Sequence, residues 1–331
     1  MLRFTLRRIL MMVPTLVAVS IIAFVIIQLP PGDFLTSYIA SLGETGEMAS
    51  EAELAALKSA YGLDQPVYIQ YLKWMSGVVQ GDFGRSMLWN RPVTDILLER
   101  LPYSMMISVC AIVIVWVIGV TVGTYSATHQ YSPGDYTATF LGFIGISIPP
   151  FLIALIALWL IFKYTGNAAI GLFSPEYQLA PWSLAKLWDL LKHLWVPALM
   201  VGLAGTASLI RTIRANLLDE LGKPYVMVAR AKGLTERRVL FRYPFRIAIN
   251  PAVSTVGYML PLLVSGELLV SMVLGLPTIS PVFVESLLNQ DMYLAGSVVM
   301  ILSFLTIVGT LISDILLAWV DPRIRFEAKR A

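Results

Sequence analysis

Charged side chains are missing from long stretches of this chain, and that limits what it can fold into. Between Arg8 and Asp33 lie 24 consecutive residues without Asp, Glu, Lys or Arg. Further charge-free stretches run from Leu101 to Gly134, Tyr136 to Phe162, His193 to Ile210, Ile247 to Gly266 and Met292 to Ser313. About 20 apolar residues in a helix cross a ~30 Å hydrocarbon core, so each stretch holds one spanning helix and the pattern predicts six. Composition agrees, with 14% charged and 57% hydrophobic residues, against about a quarter charged in an ordinary soluble domain. Soluble, disordered, collagen-like and disulfide-stapled classes are excluded, and the one cysteine, Cys110, forms no intrachain disulfide.

The first apolar run follows Arg3, Arg7 and Arg8 and ends Gln28-Leu29-Pro30-Pro31 without a small-x-small cleavage site, so it reads as a retained span and not a signal peptide. Span two is placed near Ser104 to Ala127, before a polar turn of His129, Gln130, Ser132, Pro133 and Gly134. Pro149 and Pro150 interrupt span three, leaving carbonyls that need partners from neighbouring helices or a cavity. With the N-terminus inside, inner segments carry 16 Lys and Arg and outer segments 8, which by the positive-inside rule puts both termini in the cytoplasm. The net charge of +3 is therefore a topology signal and no nucleic-acid footprint.

Two segments outside the spans are long enough to fold. In the outer one, Pro30 to Arg100, Ser50 and Glu53 form a capping box, Leu54, Leu57 and Tyr61 share a helical face, and Gly62 stops it. Pro66 opens a second amphipathic stretch with Val67, Tyr71, Trp74, Met75 and Val78 broadly on one side. This segment reads either as a docking ledge for an external partner or as a cap packed on the bundle. The inner segment, Arg211 to Arg246, holds nine basic residues and three acidic ones, Asp219, Glu220 and Glu236. Pro224 at a first helical position and Gly233 as a stop frame a short helix with Tyr225, Val228 and Ala229 on one side and Arg230 nearby. It suits either the groove of a soluble partner or an anionic lipid surface.

Catalytic and metal-binding patterns are absent. His129 and His193 fall near span ends on opposite sides, no H-E-x-x-H occurs, and Gly222-Lys223 runs into Pro224 without the upstream glycine of a P-loop. No enzymatic activity, no resident cofactor or metal and no binding of ATP by this chain alone are expected. At about 1.5 Å per helical residue, Glu267 lies about 27 Å above Ile249 and Asp314 about 33 Å below Met292. The two acids thus sit near opposite faces, and each is expected to reach an interface, with Glu267 a candidate for the outer mouth of a pathway.

Several motifs resemble one family along nearly the whole chain. They are Pro31-Gly32-Asp33, Tyr61-Gly62-Leu63-Asp64-Gln65-Pro66, Gln70-Tyr71-Leu72, Gly81-Asp82-Phe83-Gly84-Arg85-Ser86, Arg91-Pro92-Val93, Arg100-Leu101-Pro102, Ser147-Ile148-Pro149 and Asp321-Pro322-Arg323. The most specific, Ala229-Arg230-Ala231-Lys232-Gly233-Leu234, resembles the cytoplasmic EAA-type loop. The chain is similar to the larger membrane subunit of the ABC importers for dipeptides, oligopeptides and nickel.

The resemblance implies an all-α membrane protein with the type I importer permease fold. Residues 1–29 would form the cytoplasmic N-terminus and first span, 30–100 an external helical segment, 101–320 a core of five spans with the coupling loop at 211–246, and 321–331 a cytoplasmic tail. The implied coupling helix includes Tyr225, Val228, Ala229, Arg230, Ala231, Lys232, Gly233 and Leu234, seated on an ATP-hydrolysing subunit, with Arg230 and Lys232 supplying charge complementarity. Implied partners are a second homologous permease, two ATP-binding subunits and an external solute-binding protein, with membrane lipid around them and no nucleic acid. Location in a bacterial inner membrane follows.

The chain departs from the family pattern at Met227 and Val228, where Glu and Ala are usual. It departs again at Ser271 and Pro277-Thr278-Ile279-Ser280, where an acid and a Pro-Gly-Leu-Gly turn are usual, and at Tyr243-Pro244-Phe245-Arg246, which lacks a His. Glu267 and Ser271 are the candidates for a substrate path. Peptides are the first expected cargo and oligosaccharides the alternative. A stand-alone secondary transporter would show matched halves with broken helices, whereas the two three-span halves here carry unequal loops. An intramembrane hydrolase would need a nucleophile and base at shared depth.

Overall fold

The structure is a computed structural model that describes residues 2–28, 59, 64–166 and 171–320. The predicted cap at Ser50 and Glu53, the helix through Leu54, Leu57 and Tyr61, the Pro31-Gly32-Asp33 turn and the tail from Asp321 lie outside the described residues.

Among the described residues the chain is helical, with one isolated antiparallel bridge between Arg85 and Pro92. In order the helices are α1 (Leu2–Gln28), α2 (Val67–Val79), α3 (Val93–Thr128), α4 (Pro133–Ser147), α5 (Pro150–Thr165), α6 (Leu184–Leu221), α7 (Pro224–Ala231), α8 (Glu236–Arg242), α9 (Pro244–Ala248), α10 (Asn250–Gly266), α11 (Leu268–Val273), α12 (Ile279–Leu288) and α13 (Met292–Val320).

Among the described residues three helices are long and apolar enough to cross a membrane: α3, α6 and the Met292–Leu317 part of α13. The pair α4 and α5, bent by 104° at the Pro149-Pro150 break, makes a fourth candidate span. Counting on these criteria stops short of the six predicted, for two reasons. The apolar part of α1, Leu10–Ile26, is shorter than the threshold. The charge-free stretch from Ile247 to Gly266 holds α10, Asn250–Gly266, which at 17 residues is also short for a span.

The chain divides into two compact units. The described residues of the first lie within 2–8, 104–277 and 306–320. Here α3 packs against α6 through small residues. A Cβ at Gly119 would lie 2.7 Å from Leu209 Cδ2, and one at Gly123 2.9 Å from both the Ile210 carbonyl oxygen and Ile213 Cβ. From the other side, Gly202 lies under the Ala111 carbonyl and Val115, and Gly205 also faces Val115. Gly119 and Gly123 form the small-xxx-small spacing that lets spanning helices approach closely. Around this contact Val115, Leu209 and Ile213 are buried with Ala252 and Met259 of α10.

The described residues of the second unit lie within 9–28, 64–103 and 278–305, with residue 59. Its core is Phe24 of α1, Trp74 of α2, Met87 and Met292, with Tyr71, Met75, Val78 and Tyr293 around them. Phe24 stacks on Trp74 at 5.8 Å and meets Tyr71 edge-on at 5.5 Å, while Ser20 Oγ and Tyr71 Oη share a hydrogen bond of 2.8 Å. The amphipathic reading of α2 thus holds for Tyr71, Trp74, Met75 and Val78, whereas Val67 is exposed.

The Gly81-Asp82-Phe83-Gly84-Arg85-Ser86 motif is a compact turn. Gly81 (φ +85°) and Gly84 (φ +84°) adopt left-handed backbone, and a Cβ on Gly84 would press on the Tyr293 ring at 3.0 Å. Arg85 braces the turn through the Asn90 side-chain and main-chain oxygens at 2.9 and 2.6 Å. Ser86 Oγ donates to Asp291 Oδ2 at 2.5 Å, and the Leu88 and Leu294 amides donate to the same carboxyl at 3.1 and 3.2 Å.

Two outcomes test this packing. Gly123→Leu should lower the stability of the purified protein by roughly 1–3 kcal/mol, as overpacking does, read as earlier thermal unfolding in detergent, with Gly142→Leu as a milder control since its Cβ would meet only Ala207 at 3.9 Å. Burial raises the Asp291 pKa against the opposing pull of its donors. A raised folded-state pKa gives stability that is complete below the unfolded value of about 3.9 and fades as pH rises through the folded value. Unfolding midpoints should therefore climb as pH falls from about 7 toward the ordinary carboxylate range, and Asp291→Asn should flatten that slope.

Candidate partner-coupling site

The basic segment between α6 and α10 forms three short helices, of which α7 and α8 share one small core. Pro224 opens α7 at its first position, where a missing N–H costs nothing. The helix ends at Lys232, and Gly233 then takes φ +74° with nothing within 4 Å of where a Cβ would be, so glycine is required there for backbone conformation alone. Val226 and Ala229 of α7 are buried against Val239 of α8, with Tyr225, Leu234 and Tyr243 around them. Across the Gly233 turn the Arg230 guanidinium holds Glu236 with bonds of 2.9 and 3.1 Å. This exposed pair contributes less than about 1 kcal/mol and serves to align α7 with α8.

The loop is also tied to the long helices. Leu240 of α8 and Ala248 of α9 pack against Leu217, Leu218 and Leu221 of α6 and Ala127 near the end of α3. Tyr225 Oη donates a short hydrogen bond to Glu220 in the last turn of α6. Burial, reinforced by that carboxylate, pushes the phenol pKa up, so Tyr225 remains the proton donor at neutral pH.

One turn and a half back on α6, Arg214 clamps Asp135 of α4 in a bidentate pair, both bonds 2.8 Å, with the Tyr131 amide donating to the same carboxylate at 2.9 Å. Asp135 is almost fully buried. The start of α4 is capped by Ser132, so α3, α4, α6 and the loop are joined at one end.

The eight residues predicted for the coupling helix all fall in α7 and the turn after it, but the predicted face is corrected. Val226 and Ala229, three apart, share the inward side. Val228 points outward at 53% exposure, beside Met227 at 58%. Ala231 and Lys232 are exposed, Leu234 is half-buried, and Arg230 is engaged by Glu236 in place of a free charge.

Glu267 and Ser271, the substrate-path candidates, lie at the end of α10 and in α11. Both are fully buried, and Ser104 Oγ of α3 donates to Glu267 Oε1 at 2.5 Å. The expectation that Glu267 reaches an interface is therefore corrected, because α3 packs beside it and Ser104 meets its carboxyl inside the helix packing. Among the described residues no cluster of three His, Cys, Asp or Glu is placed to hold a metal.

Sequence reading missed the Asp135–Arg214 clamp. Its signal was present, since Asp135 is the only charge separating two apolar stretches.

Long apolar helices, one of them broken at a proline pair, with a rigid basic loop fixed to their ends, define a multi-pass membrane protein. The chain belongs to the family of binding-protein-dependent transport system inner membrane components, whose profile matches residues 119–326, and the profile for the N-terminal part of such components matches residues 1–110. The chain is 34% identical over 327 residues to the oligopeptide transport system permease protein AppB of Bacillus subtilis, covering 98% of this chain and 99% of that protein. To the dipeptide transport system permease protein DppB of Escherichia coli K12 it is 30% identical over 343 residues, covering 99% and 100%. A putative peptide permease protein of Brucella ovis is 32% identical over 326 residues, covering 98% and 99%. The family resemblance drawn from the motifs therefore holds, and the chain is a permease component of ABC importer type.

Arg214→Met leaves a buried carboxylate without its partner and should cost on the order of 3 kcal/mol, at the low end because Arg214 keeps 27% of its side-chain exposure. The swap Asp135→Arg with Arg214→Asp should recover part of it, measured by thermal unfolding of the two variants beside the wild type.

Proposed function

We propose that this chain imports peptides across the inner membrane as one of two related permeases, together with two ATP-binding subunits and an external solute-binding protein. The observation that carries the coupling role is the exposed Met227 and Val228 edge on a helix whose other side is buried in its own loop and whose loop is fixed to α3 and α6. A soluble partner that docks on this edge has a firm lever to push. ATP is bound by that partner, and this subunit has no chemistry of its own. The family pattern, a basic loop with an exposed short helix, and relatives whose names specify oligopeptides and dipeptides support this reading and favour peptides over oligosaccharides.

Six spans follow when the apolar part of α1 and the α10–α11 pair are added to α3, the α4–α5 pair, α6 and α13. Both termini and the coupling loop then lie in the cytoplasm, where the basic residues are concentrated. The described part of residues 30–100, joined to α12 and the first half of α13, faces outward and serves the binding protein. The cargo path runs along the core spans beside the partner permease.

Met227→Asp and Val228→Asp should each weaken retention of the ATP-binding subunit about tenfold or more, the scale of a central interface contact, measured by co-purification from native membranes. Gly233→Asp should act in the same direction through strain at a positive φ. Full retention together with peptide-stimulated ATPase in all three variants would sink the coupling assignment.

A further inference from the structure

The inner loop carries a second exposed surface, chemically unlike the edge of α7. Arg237, Arg238 and Arg242 on α8 and Arg246 on α9 are all exposed. None of the four forms an ion pair among the described residues, and the one acid on α8, Glu236, is already held by Arg230. Between them stands an aromatic pair, Phe241 edge-on to Phe245 at 5.3 Å, with Phe241 48% exposed. Ile247 is exposed beside it.

The location of this surface is set by packing. Leu240 and Ala248, from the same two helices, rest on Ala127 in the last turn of α3, where that apolar stretch gives way to its polar turn, and on the charged final turns of α6 beyond Ile210. An exposed phenylalanine beside the end of an apolar helix suits the interfacial region, and guanidinium groups around it suit phosphates, which they bind bidentately.

We propose that Arg237, Arg238, Arg242 and Arg246, with Phe241 inserted between them, form a binding surface for anionic phospholipid headgroups at this end of the bundle. The proposal rests on the multi-pass reading above but not on the assignment of α7 to an ATP-binding subunit. Four unmatched cations supply the charge complementarity, and the aromatic pair supplies the apolar contact that a headgroup site at the hydrocarbon edge requires. The loop then has two partners on two faces, protein at Met227 and Val228 and lipid at α8 and α9. Lipid held there would keep α8 flat against the membrane and stiffen the support of α7.

The test uses the full chain extracted from bacterial membranes with its native partners. Bound phosphatidylglycerol and phosphatidylethanolamine are quantified by mass spectrometry and compared with the bulk membrane. The wild type should hold phosphatidylglycerol enriched about threefold or more, and the enrichment should fall as salt rises. The fourfold variant R237Q/R238Q/R242Q/R246Q should return to the bulk ratio, while the corresponding lysine variant keeps most of the enrichment. All four side chains are exposed, so folding is not at issue, and a thermal-unfolding check on each variant confirms it.

Enrichment that is absent in the wild type, or that persists in the glutamine variant, overturns the proposal. So does loss of the ATP-binding subunit with unchanged lipid in that variant, because it assigns the arginines to a protein partner. The separate variant Met227→Asp distinguishes the two readings. If it keeps both its lipid and its ATP-binding subunit, the coupling assignment fails and the lipid surface stands.

Discussion

Within hydrocarbon a peptide group has no water to bond, so the chain satisfies it inside helices, and the remaining freedom is how closely those helices approach. The contact between α3 and α6 uses that freedom fully. Gly119 and Gly123 on one helix and Gly202 and Gly205 on the other bring the backbones together where any larger side chain would strike a neighbour. Since lipid tails are as apolar as leucine, it is this tight fit and not burial from water that holds the pair. The other parts of the first unit build on it. α10 packs through Ala252 and Met259, and α4 lies along α6 with Gly145 close to Leu203.

Polar groups are placed where this frame needs a direction. Asp135 meets Arg214 at the end of α4, Asp291 gathers Ser86 and two backbone amides at the start of α13, and Glu267 meets Ser104 where α10 gives way to α11. Each sits at a helix terminus or break, where the apolar pattern alone leaves the orientation open. A buried carboxyl is expensive to leave unpartnered, so each one selects a single arrangement of the segments that supply its donors.

The inner loop shows how a firm surface is made from short helices that would not be stable alone. Its own core is only Val226, Ala229 and Val239, and its rigidity is borrowed from Leu217, Leu221 and Ala127 on the long helices below. This packing leaves Met227 and Val228 exposed on one side and the arginines of α8 and α9 exposed on another. A membrane component of a binding-protein-dependent system works between partners, and this arrangement keeps the contacting edges fixed relative to the spans.

Much of this was written in the sequence. Charge-free stretches announced apolar helices, Pro149-Pro150 announced the break in the α4–α5 pair, Pro224 and Gly233 bounded α7, and the Ala229 to Leu234 motif pointed to the family. Such features are local, because periodicity, proline and glycine act on the few residues around them. Tertiary structure decided the rest. Val228 turned outward and Val226 inward because Val239, thirteen residues further on, lies on one side of α7 only. Arg230 was taken by Glu236 across a turn, and Glu267 was enclosed because α3 packs beside it and offers Ser104 to its carboxyl. Asp135 found Arg214 across 79 positions in the chain. No spacing rule reaches that far, since which charges meet depends on how the helices pack, and that is settled by shape at the glycine contact and not by the order of residues near either partner.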